Sequence, residues 1–151
     1  MQSSIRRPRT PAAHRRRSRG NALLDMALVM PVLLMLSFGA IEYGYAMFIK
    51  HSLQGAAREG ARAAIVPGAT AADVQAAIDQ TMLISGFPPT KYTRPAVIEP
   101  SNWATAGAGT QVKVTVRTTW GTVGVHVLPT YLGGISSGKQ LVAATAMRRE
   151  G

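Results

Sequence analysis

The sequence predicts an α+β protein built on one long N-terminal helix, which crosses a membrane and continues into a small domain with a second helix and a short antiparallel sheet. Three observations predict it. A charge-free apolar run occupies residues 26–41, small apolar residues recur at helical spacing from Leu53 to Ala64, and Val112, Val114 and Val116 alternate with polar neighbours. The chain has 151 residues, one domain's worth, and a membrane helix withdraws a good part of that from any soluble core.

The leader comes first. The formal net charge is +10, and Arg6, Arg7, Arg9, Arg15, Arg16, Arg17 and Arg19 supply seven positive charges before the apolar run with no acid among them. This basic character is local, and it sets topology: positive residues beside an apolar helix stay on the cytoplasmic side. With no cysteine, a disulfide framework, thiolate catalysis, a Cys-based zinc site and an N-terminal lipid-modified Cys are all excluded.

The apolar helix follows. Residues 22–49 would form a helix about 42 Å long, ample for a hydrocarbon core of roughly 30 Å. Its uncharged part, residues 26–41, spans only about 24 Å, so one of the flanking acids, Asp25 or Glu42, must lie near an interface or be paired. Tyr43, Tyr45 and Phe48, with Lys50 beyond, form an aromatic belt at the far end. A buried soluble helix is the other reading of this run, but it leaves the arginines unexplained. The organisation expected is a basic cytoplasmic leader over 1–20, a transmembrane helix over 21–49 and an extracytoplasmic domain over 50–151. A cleavable secretory signal would use Gly44-Tyr45-Ala46, but its apolar stretch is too long and carries Asp25 and Glu42. The pairs Arg6-Arg7 and Arg16-Arg17 lack the apolar residues that a twin-arginine signal requires.

Directly before the run stands Arg19-Gly20-Asn21-Ala22-Leu23-Leu24-Asp25. A basic run, a glycine, four mostly uncharged residues and an acid opening an apolar stretch resemble a class III signal, the processing site of type IV pilins and pseudopilins. Downstream, Met26-Ala27-Leu28-Val29-Met30-Pro31, then Phe38-Gly39-Ala40-Ile41-Glu42-Tyr43-Gly44, then Ala56-Ala57-Arg58-Glu59-Gly60-Ala61-Arg62 follow in order. Together these segments are similar to TadE-like proteins, minor pseudopilins of the tight-adherence (Flp, type IVc) pilus system. Asp25 stands where that family usually carries Glu, and Met26 where an aromatic is common.

The resemblance implies a pseudopilin-like fold and a structural function without cofactors. It implies a prepilin peptidase that cuts after Gly20 and leaves Asn21 as the new N-terminus, with the helix retained as both anchor and assembly surface. It also implies partners: other Tad pseudopilins, the Flp pilin, the inner-membrane assembly platform and membrane lipid. An acid one turn into an apolar helix is unfavourable by about 3 kcal/mol on insertion scales, and the freed amino group of Asn21 would offset it. The other reading of Asp25 places it simply at the cytoplasmic interface. Pro31 removes one helix hydrogen bond and should kink the helix. Ala40 with Gly44, and Ala56 with Gly60, are small residues one turn apart that would let another helix approach closely.

Beyond the membrane, Leu53, Ala56, Ala57, Gly60, Ala61 and Ala64 continue the helix until Val66-Pro67-Gly68. Thr70-Ala71-Ala72-Asp73 resembles a capping box that opens a second helix with Val74, Ala77, Ile78 and Met82 on one face, ending near Gly86. Strands are expected from Gln111 towards Trp120, over residues 96–99 and over residues 140–147. Residues 104–110 read as a loop.

The sequence leads away from an enzyme. Gly133, Gly138 and Lys139 match most of a phosphate-loop pattern, but Gln140 replaces the Ser or Thr that would hold Mg²⁺. His14, His51 and His126 are scattered, and Asp73 and Asp79 read as solvated helix residues. The leader arginines lack interleaved aromatics, and no nucleic-acid partner is expected. The alternative to a pilus role is a signal-anchored or secreted envelope binding domain unrelated to pili.

Overall fold

The computed structural model describes residues 17–149. The leader arginines up to Arg16, His14, Glu150 and Gly151 lie outside the described residues. Helix α1 runs Arg17–Ala64, with Pro31 inside it. Helix α2, Ala71–Ile84, follows a short turn. Three strands, β1 (Val97–Glu99), β2 (Gln111–Thr119) and β3 (Gln140–Arg148), form one antiparallel sheet in the order β1-β2-β3. A single helical turn, α3 (Trp120–Val123), opens the β2–β3 connection. The α+β class and the second helix agree with the sequence reading, and each of the three expected strands is present.

The chain divides into two units, at Ser37 and Phe38. In the first, every side chain described from Gly20 to Ser37 is exposed, so none of the described residues of this unit covers that stretch. In the second, Ala46, Ile49, Leu53, Ala56, Ala57, Ala61 and Ala64 of α1 are buried at intervals of three and four residues, the spacing that puts them on one helix face. That face shares a core with Val74, Ile78 and Met82 of α2, with Val112, Val114 and Val116 of β2, and with Leu141 and Ala143 of β3. Small residues dominate the α1 face because the sheet and α2 both pack closely on it. A Cβ added at Gly60 would lie 2.7 Å from Ile78 Cγ1 and 3.3 Å from Val114 Cγ1.

The β2–β3 pairing runs in unbroken register from Gln111↔Arg148 to Thr119↔Gln140. The alternation read from the sequence is the burial pattern of β2, with Val112, Val114, Val116 and Thr118 inward. β1 is short because Pro95 and Pro100 bracket it and proline donates no ladder hydrogen bond.

The start of α2 is the reciprocal cap that the sequence suggests. Asp73 N–H donates to Thr70 Oγ1 at 3.3 Å, and Thr70 N–H donates to Asp73 Oδ2 at 2.9 Å. The Thr70 hydroxyl also donates to Asp73 Oδ2 at 2.7 Å. The hydroxyl first and the backbone N–H second hold the Asp73 carboxyl below its usual pKa. A lowered folded-state pKa means stability that is present above the unfolded pKa of about 3.9 and is lost as pH falls through the folded value. Asp73→Ala should therefore lower the melting temperature at neutral pH, and the gap from the parent protein should close on acidification below about pH 4. Thermal melts across that range check it.

Asp79 is not the solvated residue that its position on α2 suggests. It accepts from the Tyr92 hydroxyl at 2.6 Å and from Gln75 Nε2 at 2.7 Å, and pairs with Arg94 at 2.5 Å. Gln75 in turn accepts from Ala96 N–H at 2.9 Å. Tyr92, Arg94 and Ala96 lie in the segment leading into β1, which the sequence alone could not bring back to α2. Burial first, and the Asp79 carboxylate second, push the Tyr92 hydroxyl pKa upward, so Tyr92 stays a donor to Asp79 at physiological pH.

Candidate functional site

Two features of α1 bear on function. The first is its exposed apolar stretch. Residues 20–64 are long and apolar enough to cross a membrane by length and composition. Gly20, Asn21 and Asp25 are exposed on α1, as is Pro31. Among the described residues, nothing beyond its chain neighbours and the helix's own backbone would lie within 4 Å of a Cβ at Gly20, so a larger side chain there meets no steric obstacle from them.

The four small residues singled out as helix-packing positions separate into two pairs. Ala40 and Gly44 are exposed, with open space around a Cβ at Gly44. Ala56 and Gly60 are buried in the domain core, and at Gly60 the approaching elements are α2 and β2 of the same chain. The Ala40 and Gly44 face is therefore the one open to a second helix.

The second feature is Glu42, which is only 2% exposed. Its two carboxylate oxygens accept separate backbone hydrogen bonds, from Leu128 N–H at 3.1 Å and from Ile135 N–H at 2.8 Å. The need for a partner at one of the flanking acids was legible in the sequence. The partner itself, a loop more than eighty residues away, was not.

That loop belongs to the connection between β2 and β3. Its base is closed by Trp120 N–H donating to Lys139 O at 2.8 Å and Gly121 N–H donating to Ser137 O at 2.8 Å. Trp120 is fully buried and meets Tyr45 edge-on, with ring centroids 6.2 Å apart. Glycine is required at 134, where a Cβ would collide with the Leu128 carbonyl. Leu128 Cδ1 would lie 3.7 Å from a Cβ at Gly39. One face of α1, at Gly39 and Glu42, thus clasps both ends of the 128–135 segment.

Of the aromatic belt, Tyr43 is exposed while Tyr45 packs on Trp120, and Phe48 stands 5.9 Å from Phe87. Domain packing therefore begins at Gly39 and Glu42, inside the 21–49 stretch assigned to the membrane from sequence. The phosphate-loop-like residues do not form a strand–loop–helix. Gly133 ends a short helical turn over Thr130–Leu132 with positive φ, and Lys139 leads into β3. Among the described residues no group of three or more His, Asp or Glu could hold a metal ion. His51 and His126 are both exposed, and His126 Nε2 sits 3.1 Å from the Ser137 hydroxyl.

These observations define a class: an α+β domain whose first helix carries an exposed apolar segment of membrane-spanning length. Within that class, residues 20–62 match the family model described as TadE-like protein. The match begins at the glycine of the predicted processing site and ends within the α1 face that packs into the domain. No curated protein and no solved structure was found to match the chain.

Proposed function

We propose that the chain is a minor pseudopilin or pilus assembly protein of a Tad (Flp) type IVc pilus or secretion system. The supporting observation is the family match, which opens at Gly20 and runs through the exposed apolar stretch of α1. On this reading residues 1–20 are a cytoplasmic leader, the helix anchors the protein in the inner membrane, and the α+β domain lies outside the cytoplasm. Because the domain loop pairs Glu42, the span is drawn towards residues 22–41, about 30 Å of helix and the thickness of a hydrocarbon core. Asp25 then falls near the cytoplasmic interface, within reach of the amino group that cleavage would free on Asn21.

The protein acts by packing rather than catalysis. Exposed Ala40 and Gly44 admit a neighbouring helix, such as that of the Flp pilin or another Tad pseudopilin, and the domain makes its contacts with the assembly machinery outside the membrane.

Processing tests this reading. Co-expression with a prepilin peptidase should shorten the protein so that N-terminal sequencing starts at Asn21, and Gly20→Val should block the cut. Since the space around Gly20 is open, a block would report peptidase recognition and not a disturbed fold. Unchanged mass for both proteins would leave a signal-anchored envelope domain instead.

A further inference from the structure

We propose that the 128–135 loop is a second membrane contact, laying Tyr131 and Leu132 into the headgroup and upper acyl region of the leaflet from which α1 emerges. The inference rests on the reading that α1 spans the membrane with its apolar run ending near residue 41.

Four observations carry it. The β2–β3 connection holds no Asp, Glu, Lys or Arg from Thr118 to Gly138, although Arg117 and Lys139 flank it. It is also long for a connection between neighbouring antiparallel strands, and connections of that length are usually functional or disordered. Here the backbone is pinned by Glu42 and by the two hydrogen bonds at its base, so disorder is not the explanation. At its tip Tyr131 is 83% exposed, with Leu132 also open, and Val125 is exposed earlier in the connection. Exposed apolar side chains on a fixed loop are unfavourable in water and signal a contact surface.

Position along α1 selects lipid as the occupant. The loop is tied to Glu42, the first charged residue after the apolar run, and Leu128 reaches back to Gly39, about one turn earlier and inside the run. Phe38, Ile41 and Tyr43 of α1 are exposed at the same level. Tyrosine and leucine beside the end of a spanning helix suit the interface, where an amphipathic ring meets headgroups and aliphatic carbon meets acyl chain. The absence of acids keeps the loop compatible with anionic headgroups. Two contacts, the helix and the loop, would restrict the tilt of the domain against the membrane and so orient the Ala40 and Gly44 face for assembly.

Bromolipid quenching tests the contact. The parent chain has no cysteine, so Tyr131→Cys, Leu34→Cys and Ala108→Cys each accept one nitrobenzoxadiazole label in the full-length protein. Tyr131 and Leu34 are exposed, and Ala108 lies beside the start of β2, about 30 Å of strand from the loop. The labelled proteins are reconstituted in phosphatidylcholine–phosphatidylglycerol vesicles with acyl chains brominated either near the carboxyl end or near the bilayer centre. The label at 131 should lose about half its emission to the shallow bromines and less to the deep ones, as expected for interfacial insertion. The label at 34 should be quenched by the deep bromines, and the label at 108 by neither. Quenching at 34 with none at 131 would overturn the loop contact while leaving the span intact. No quenching at either would overturn the span, and the loop contact with it. Quenching at 131 that disappears when the Flp pilin is co-reconstituted would assign the loop to a protein partner and overturn the lipid assignment.

Discussion

Glu42→Ala should destabilise the domain by about 3 kcal/mol or more, because hydrogen bonds to a charged group contribute roughly 1.5–3 kcal/mol each and two are lost together. The alanine would also leave Leu128 and Ile135 N–H without an acceptor in a site shielded by α1 and the loop. Glu42→Gln keeps one acceptor oxygen but turns an amide NH₂ towards the other N–H, so it should recover only part of the loss. Glu42→Asp is a methylene shorter and should fail to reach both donors. The damage should be local before it is global: amide exchange at Leu128 and Ile135 should accelerate most, and limited proteolysis should cut within residues 124–138 while β2 and β3 remain protected. Thermal melts and hydrogen exchange on the full chain in detergent micelles measure both. An unchanged melting temperature with unchanged protection at Leu128 and Ile135 would show that the carboxylate does not hold the loop.

Gly60→Leu should be equally damaging, through the opposite error of overfilling. Even the first carbon of a side chain at this position would meet Ile78 Cγ1 at 2.7 Å and Ile78 Cδ1 at 2.8 Å, so α2 must shift or Ile78 must leave its rotamer. Overpacking of a fitted core is unfavourable by about 1–3 kcal/mol for small additions, and a leucine adds several carbons. The expected fall in melting temperature is roughly 10 °C or more for a domain of this size. Gly60→Ala separates the two opposing effects. Alanine improves helix propensity by about 1 kcal/mol, so its net loss should be far smaller than that of leucine. A second substitution that shortens the neighbour, Ile78→Val, should recover part of the Gly60→Ala loss by opening space for the new methyl. If Gly60→Leu were as stable as the parent protein, α1 and α2 could not pack as closely as the structure shows. Gly44→Leu is the matched control, since open space surrounds that position, and it should leave the melting temperature nearly unchanged.

The elements themselves were legible because each depends on neighbours close in sequence. Charge-free residues 26–41, the three- and four-residue spacing from Leu53 to Ala64, Thr70 with Asp73 at the start of α2, and the alternation in β2 are all local signals. So is the Gly20 to Asp25 motif, and the family match covers that same stretch. Local pattern could also say that Asp25 or Glu42 had to be satisfied, since desolvating a charge is unfavourable wherever it happens. It could not say by what. The partners of Glu42 lie at Leu128 and Ile135, those of Asp79 at Tyr92 and Arg94, and the atoms closing on Gly60 belong to Ile78 and Val114. Ala40 with Gly44 and Ala56 with Gly60 read identically as one-turn pairs of small residues, yet the first pair is open and the second is filled by the chain's own core. The sequence by itself determined the helix, its apolar segment and the strand pattern, because hydrophobic periodicity and capping act within a few residues. Only the tertiary structure decided which charge is buried, which small residues remain available and which loop stands beside the end of the apolar run, because those depend on segments that the chain brings together only when it folds.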